Sequence, residues 1–327
     1  MPKNAVLSNK DKENALKIKR IIPIIAIYAV MVALALVANF INPGFLSVGN
    51  IYSIVKQMAF LGIACIGQTL IILTGGIDLS LRNVILLANV LAAQMINGKP
   101  ENTWTTFGFI MLVCVVIGVV NGAGVTFLKI PAMVMTLASG TVCYGATMLY
   151  CKGAPGGHAS PILTFLANQK LFGAFNGVFF IWVALVVITI VVLKCTTFGR
   201  SIYAVGTNSE AARHAGINVP LVHIACYVIA AVMAGITGFL FLGFTESGYL
   251  STAASYNMDS IAAVVIGGTS IMGGAGGYVG TIAGVGIMIV LDSLMTILHM
   301  AESGKQIFQG LLIVVLLVVV YSRKKKN

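Results

Sequence analysis

Residues 54–80 read IVKQMAFLGIACIGQTLIILTGGIDLS, a long apolar run that ends in a short polar stretch with two adjacent glycines. The first part, residues 54–73, has the length that an α-helix needs to cross the hydrocarbon core of a bilayer. Glycine weakens helices, so the helix is expected to break at the glycine pair. The stretch therefore predicts a membrane-spanning helix followed by an interruption.

The composition of the whole chain agrees with a membrane location. Hydrophobic residues make up 58% of the 327 residues and charged residues only 9%, whereas soluble domains carry roughly a quarter charged residues. A chain this apolar has too little polar surface to cover itself in water. The composition excludes a soluble enzyme, a disordered chain and a nucleic-acid-binding domain, and leaves an integral membrane protein.

Other apolar segments of similar length predict an all-α integral membrane protein with about ten transmembrane helices. The third and eighth segments are short and adjoin glycine-rich stretches, so some helices are expected to be broken. The ten predicted spans are residues 21–41, 54–73, 83–97, 105–127, 131–150, 174–194, 221–243, 258–271, 279–299 and 305–322.

The positive charges favour a cytoplasmic location for both termini. Ten of the 20 Lys and Arg residues lie in the first 20 residues or in the tail at 323–327. With ten spans, fifteen of the 20 fall on the cytoplasmic side, as the positive-inside rule requires. We therefore predict a basic cytoplasmic segment at 1–20, one polytopic domain at 21–322 and a basic cytoplasmic tail at 323–327.

The sequence predicts no catalytic site, bound cofactor or metal. The six cysteines form no C-x-x-C pair and the four histidines are scattered, so neither zinc nor a redox dithiol is indicated. The chain also lacks the sequence G-x-x-x-x-G-K-[ST] that cradles nucleotide phosphates. Any ATP hydrolysis linked to this chain would therefore have to take place in another subunit.

The polar loop at 195–220 is predicted to face the cytoplasm and to contain a short helix. Thr207 and Glu210 have the spacing of a capping box, and Gly216 suits the helix end. A helix of about eight residues is too short to be stable alone and needs a partner surface. Two interpretations remain open, a surface helix in a loop and a coupling helix that docks into a separate ATPase.

The residues Glu210, Ala211, Ala212 and Gly216 resemble the EAA motif of bacterial ABC-importer permeases. Three further stretches, in the same order along the chain, resemble signatures of ribose-type sugar permeases over about residues 50–310. They are TGGIDLS at 74–80, TFGRSIYAVG at 197–206, and IAAVVIGGTS at 261–270 followed by Gly273 and Gly274. One departure is Leu81-Arg82-Asn83 after the first signature, where the family usually has small residues.

The resemblance implies the permease subunit of a monosaccharide ABC importer in the bacterial inner membrane. Its expected partners are an ABC ATPase that uses ATP, an extracytoplasmic sugar-binding protein, a second permease chain and membrane lipid, with no nucleic acid. The expected cargo is a ribose-like sugar. A nucleoside, a branched-chain amino acid or a signalling furanose is the alternative cargo, and an ion-coupled secondary transporter using Asp259 or Asp292 is a more distant alternative.

Signature residues that could form the pathway or a hinge are Gly75, Gly76, Asp78, Ser80, Asp259, Gly267, Gly268, Thr269, Gly273 and Gly274. For Asp78 we favour a cap for the third span over a re-entrant break that lines the path, because Asp suits a helix start. The glycine-rich block is expected to interrupt the helix and to allow a hinge. Polar side chains in or near spans, among them Asn121, Thr136 and Asn257, are candidates for either sugar contact or helix packing.

Overall fold

The computed structural model describes residues 9–171, 175–301, 303–311 and 314, with side chains from residue 22 onward. The described chain is almost entirely helical. Its helices are α1 (Asn9–Ile41), α2 (Val48–Leu73), α3 (Leu81–Ile96), α4 (Thr103–Thr126), α5 (Ala132–Cys151), α6 (Pro161–Asn168), α7 (Gly177–Cys195), α8 (Thr197–Thr207), α9 (Ser209–His214), α10 (Val219–Thr245), α11 (Tyr256–Ile266) and α12 (Tyr278–Ile297).

Seven of the described helices are long and apolar enough to cross a membrane, namely α1, α2, α4, α5, α7, α10 and α12. The two segments predicted to be short are the shorter apolar helices α3 and α11. The all-helical membrane class is therefore confirmed. The number of about ten spans and the side on which the termini lie stay predictions, since most of the tenth segment, 305–322, lies outside the described residues.

The predicted domain limits are only partly covered by the structure. Helix α1 begins at Asn9 and continues through residues 20 and 21 without a break. The tail at 323–327 lies outside the described residues. The cytoplasmic placement of both basic segments stays a prediction.

The bundle has two ends that differ in structure. At one end, the N–H of Gly98 donates to the carbonyl of His158, and the N–H of Ala159 donates to the carbonyl of Glu246. The short α6 lies at this end with a two-stranded antiparallel ribbon, β1 (Lys170–Leu171) and β2 (Phe175–Asn176). The opposite end carries α8 and α9. We refer to the two as the α6 end and the α9 end.

Helix α2 is the centre of the bundle. The side chains from Ala59 to Leu73 are all buried, because α2 packs against α7, α10, α11 and α12. Two of its glycines allow close approach: a Cβ on Gly62 would overlap Trp182 of α7, and one on Gly67 would overlap the backbone of Ala230 of α10. Small residues at such crossings let helices in a membrane pack closely.

A buried hydrogen-bond chain links three of these helices. The indole N–H of Trp182 donates to the hydroxyl of Tyr278 over 2.9 Å, and that hydroxyl donates to the carbonyl of Gly62 over 2.7 Å. Both polar side chains are thus satisfied in an apolar region, where an unpaired group would be costly. The chain fixes α7 and α12 against the middle of α2.

Candidate coupling surface and central break

Helix α9 contains the predicted coupling residues and projects at one end of the bundle. Its N-cap is Asn208, whose side-chain oxygen accepts hydrogen bonds from the N–H groups of Glu210 and Ala211 at 3.0 and 2.9 Å. The predicted cap at Thr207 is wrong. Thr207 is the last residue of α8, and its hydroxyl donates to the carbonyl of Tyr203 over 2.8 Å.

The helix is one turn and a half long, six residues instead of the predicted eight. Gly216 ends it with φ +84°, a conformation that glycine adopts easily. Glu210 and Ala211 are exposed, while Ala212 is buried against the core. Ala212 therefore anchors the helix, while Glu210 and Ala211 face outward.

An open depression of about 410 Å³ lies beside α9. Small side chains form much of its wall, so a partner could approach the backbone closely. Glu210 is not part of the wall but lies next to it in the chain. The lining residues are Tyr203, Ala204, Thr207, Asn208, Ala211, Ala212, Ala215 and Ile217.

Three of the glycine-containing signatures meet at the end of α8. We call this contact the glycine junction, and it consists of Leu73–Gly76, Gly206–Thr207 and Gly273–Gly274. The N–H of Gly274 donates to the carbonyl of Leu73 over 2.9 Å. A Cβ on Gly206 would overlap that same carbonyl oxygen and would lie 2.6 Å from the nitrogen of Gly274. The end of α2 and the end of α8 are therefore in backbone contact.

Gly273 and Gly75 complete the junction. A Cβ on Gly273 would lie 2.8 Å from the carbonyl oxygen of Gly206 and 3.0 Å from the nitrogen of Gly75. Both glycines have φ +84°, which L-residues with side chains rarely adopt. Gly76 lies beside Tyr227 of α10, whose hydroxyl would be 2.9 Å from a Cβ there.

The predicted interruption before α12 is confirmed, since residues 267–277 form an irregular turn between α11 and α12. Thr269 is buried and accepts a hydrogen bond from the N–H of Gly277 over 3.3 Å. Gly267 packs against the backbone of Gly280, while Gly268 is exposed with φ +84°. A hinge function for this turn stays a prediction.

Tyr203 joins α8 to this turn. Its hydroxyl donates to the carbonyl of Gly276 over 2.9 Å. Burial raises the pKa of the Tyr203 hydroxyl above its usual value, because a charged phenolate would lose hydration there. The hydroxyl therefore keeps the proton that it donates.

The whole of the first signature, residues 74–80 between α2 and α3, forms what we call the central break. Its backbone runs beside the first half of α5. The N–H of Leu79 donates to the hydroxyl of Thr136 over 3.0 Å, and a Cβ on Gly140 would lie 3.0 Å from the Cα of Ser80. Non-helical backbone inside a membrane protein is tolerated where protein groups satisfy it, and α5 supplies such a group.

Asp78 does not cap α3, so the favoured interpretation of this residue is wrong. Its carboxylate accepts hydrogen bonds from the N–H and the hydroxyl of Ser80 at 2.7 and 2.6 Å. Ser80 is itself the residue before the helix and makes no side-chain cap bond. Asp78 instead closes a local turn inside the break, and Asn121 of α4 donates to the Ser80 hydroxyl over 3.3 Å. A role for Asp78 in lining a path stays a prediction.

Helix α11 holds the other side of the central break. The side-chain amide of Asn257 donates to the carbonyl of Leu79 over 2.9 Å, and its oxygen accepts from the N–H of Arg82 over 2.9 Å. Asp259, one turn away from the start of α11, is 7% exposed. Asn121, Thr136 and Asn257 thus hold backbone and side chains of the break in place.

Two residues of this region were not singled out by sequence reasoning. Gly206 is the last residue of the signature at 197–206. Asn208 lies inside the predicted capping box, one residue after the predicted cap at Thr207. The extended backbone of Asn208, with φ −161°, is what gives it the cap position. Within the described residues, no three His, Cys, Asp or Glu side chains come together as metal ligands.

Substituting Thr136 with valine is expected to destabilise the protein, because the N–H of Leu79 would lose its partner in a buried place. The expected cost is about 1–3 kcal/mol, measured as a lower midpoint of thermal unfolding in detergent. Thr141→Val is the matched control, since its exposed hydroxyl bonds only to Leu137 of the same helix. Equal midpoints for both variants would show that Thr136 does not hold the central break.

Comparison with known proteins identifies the family. A profile described as "Branched-chain amino acid transport system / permease component" matches residues 50–317. The chain belongs to this permease family. Together with the seven long apolar helices, this makes it a multi-pass membrane protein of the permease class.

Named relatives cover nearly the whole chain. The ribose import permease protein RbsC of Bacillus subtilis is 34% identical over 308 residues, 89% of this chain and 90% of its own length. The galactose/methyl galactoside import permease protein MglC of Escherichia coli is 31% identical over 319 residues, 91% and 95% of the two chains. The inner membrane ABC transporter permease protein YjfF of Escherichia coli is 34% identical over 281 residues, 84% of each. No solved structure matches the chain significantly.

Proposed function

We propose that this chain is the transmembrane subunit of an ABC importer for a monosaccharide, located in the bacterial inner membrane. The ribose and galactose import permeases among its relatives support a sugar as cargo. The observation that carries the proposal is the glycine junction, because it connects an outward-facing short helix to the central helix of the bundle.

The mechanism follows from those contacts. An ATPase that binds the depression beside α9 would move α8, whose last two residues are Gly206 and Thr207. Since Gly206 has no side chain between it and the backbone of Leu73, a displacement of α8 acts directly on the end of α2. The same junction includes Gly273 and Gly274, so the turn before α12 would move with it. ATP binding and hydrolysis in the partner would thus alternate the access of a path through the membrane.

In this function, separate partner proteins hydrolyse ATP and capture the cargo. The chain itself would hold no cofactor and carry no catalytic residue, and ATP would be used by the ATPase. A sugar-binding protein would deliver cargo at the α6 end, and a second permease chain, identical or related, would complete the path. A branched-chain amino acid, nucleoside or furanose signal would use the same machinery.

The test is recovery of the ATPase. We would purify the tagged chain gently from its own membranes, together with the Glu210→Ala and Ala211→Arg variants. Ala211→Arg places a charge in the wall of the depression and is expected to lower ATPase recovery by about tenfold or more. Ala154→Arg is the control, because Ala154 is an exposed residue of the loop at the α6 end and should leave recovery unchanged.

Uptake of labelled ribose and galactose into cells completes the test. We expect uptake to need ATP and to survive a protonophore under conditions that preserve ATP. A chain that purifies alone, with uptake that collapses when the ion gradient is removed, would contradict the proposal. That result would favour an ion-coupled transporter that uses Asp259 or Asp292. The carboxylate of Asp292 lies 3.4 Å from the ammonium of Lys305.

A further inference from the structure

Arg82 is a cationic residue without a counterion among the described residues. Its backbone N–H bonds to Asn257, but its guanidinium makes no hydrogen bond or ion pair with them, and its Nε is buried without a partner. The residue as a whole is half-buried in the first turn of α3. The remaining guanidinium nitrogens are the part open to a ligand.

The position of Arg82 is deep in the bundle. Gly140, the ninth of the 20 residues of the candidate span α5, packs on Ser80 and Asn83. The residues that flank Arg82 therefore lie near the middle of a membrane-crossing helix. An Arg at this depth is costly and in most cases is paired or functional, so its unpaired state needs a ligand or partner.

The surroundings add positive potential rather than neutralise the charge. The hydrogen bonds of Asn257 bring the first turns of α3 and α11 together, and the N-terminal ends of helices carry partial positive charge. One carboxylate oxygen of Asp78, four residues away, accepts both hydrogen bonds from Ser80.

One face of α3 indicates where a ligand could reach Arg82. Arg82, Leu86 and Val90 are four residues apart and share that face. Leu86 and Val90 are covered by Cys151 and Leu250 toward the α6 end, whereas Arg82 is only half-buried. Met258, next to Asn257 in the first turn of α11, is 48% exposed. Other side chains thus cover this face of α3 toward the α6 end, whereas the face is partly exposed at Arg82.

We propose that Arg82 binds the anionic group of the cargo, so that the imported monosaccharide is a sugar acid or a sugar phosphate. A guanidinium can donate two parallel hydrogen bonds to a carboxylate or a phosphate. The proposal rests on the function proposed above, and it assigns the charge of the cargo within that function. Arg82 is then a specificity-determining residue of the path.

Direct binding to the purified complex is the first test. We would measure the midpoint of thermal unfolding with D-galacturonate, D-ribose 5-phosphate, D-galactose and D-ribose at matched ionic strength. We expect at least one anionic sugar to raise the midpoint more than the neutral sugars do. A larger rise with D-galacturonate indicates a carboxylate site, and a larger rise with D-ribose 5-phosphate indicates a phosphate site. Arg82→Gln should weaken the response to that anion by about tenfold or more, and Arg82→Lys should weaken it less.

Two controls keep the result interpretable. Arg200→Gln removes the same charge from an exposed residue of α8 and should leave anion binding unchanged. Uptake of neutral and anionic sugars by the Arg82→Gln variant shows whether the protein still folds and transports. We expect the anion uptake to fall selectively.

Three outcomes would overturn the inference. The first is that neutral and anionic sugars stabilise the complex equally. The second is that the Arg82→Gln variant binds the anion as well as the unaltered chain does. Alternatively, Arg82→Gln would dissociate the two permease chains without changing anion selectivity, which would place Arg82 in their interface. Failure of the function proposed above has a different signature, namely no co-purified ATPase and no ATP-driven uptake of any sugar, and the binding measurement still decides the role of Arg82.

Discussion

Replacing Gly206 with valine is expected to abolish ATP-driven uptake while the chain still reaches the membrane. A Cβ at this position would overlap the carbonyl oxygen of Leu73 and would lie 2.6 Å from the nitrogen of Gly274. Both are backbone atoms, so no side-chain rotation can relieve the overlap. The end of α8 must then separate from the end of α2, and a displacement of α8 would no longer reach the central helix.

A graded series makes the result specific. Gly206→Ala adds only the Cβ and should already reduce uptake strongly, whereas Gly49→Ala and Gly49→Val should be tolerated, because a Cβ on Gly49 meets no atom within 4 Å. The measurements are uptake per unit of membrane-inserted protein and recovery of the ATPase. We expect Gly206→Val to retain the ATPase and lose uptake. Uptake at the unaltered rate would show that the glycine junction does not couple α8 to α2.

The contacts of Gly206 show what a single sequence can predict. The apolar length of residues 54–73 predicted α2, and the glycine block predicted the turn at 267–277, since both follow from local physical chemistry. The contact between Gly206 and Leu73 joins residues 133 positions apart. The local sequence of neither segment predicts that it contacts the other. The short signatures can be recognised in the sequence, but the sequence does not predict that they contact one another at the glycine junction.

The helix caps show a second limit. Thr207 and Asn208 are both residue types that cap helices well, so composition could not decide between them. The structure places Thr207 in α8, where its hydroxyl bonds to Tyr203, and leaves Asn208 to cap α9. The residues predicted to couple to an ATPase, Glu210 to Gly216, were predicted to lie on a short helix, while the residue that caps this helix was misplaced by one.

The polar residues near the central break show a third limit. Asn121, Thr136 and Asn257 were candidates because polar groups in spans need partners, but their partners turned out to be groups of residues 77–82. The residue types alone could not distinguish such support from contact with a sugar. That the guanidinium of Arg82 has no partner among the described residues likewise becomes evident only in the structure.

Replacing Gly118 with leucine is expected to prevent assembly of the folded bundle. Gly118 lies in α4 where this helix crosses α10, and a Cβ there would overlap the Cα of Val228 and lie 2.8 Å from the carbonyl oxygen of Tyr227. Because the obstacle is the backbone of α10, α4 and α10 would have to move apart along their contact. Overpacking of this kind costs on the order of 3 kcal/mol, which is a large share of the stability of a typical domain.

Gly108→Leu is the matched control, because Gly108 lies in the same helix and a Cβ there meets no atom within 4 Å. Both substitutions gain about 1 kcal/mol of helix propensity when glycine is replaced, so helix formation cannot explain a difference between them. We expect a single sharp peak in size-exclusion chromatography for Gly108→Leu and aggregated or degraded protein for Gly118→Leu. If both variants purify equally well, α4 does not cross α10 at Gly118. If only Gly118→Leu fails, the α4–α10 crossing depends on the absence of a side chain at that one position.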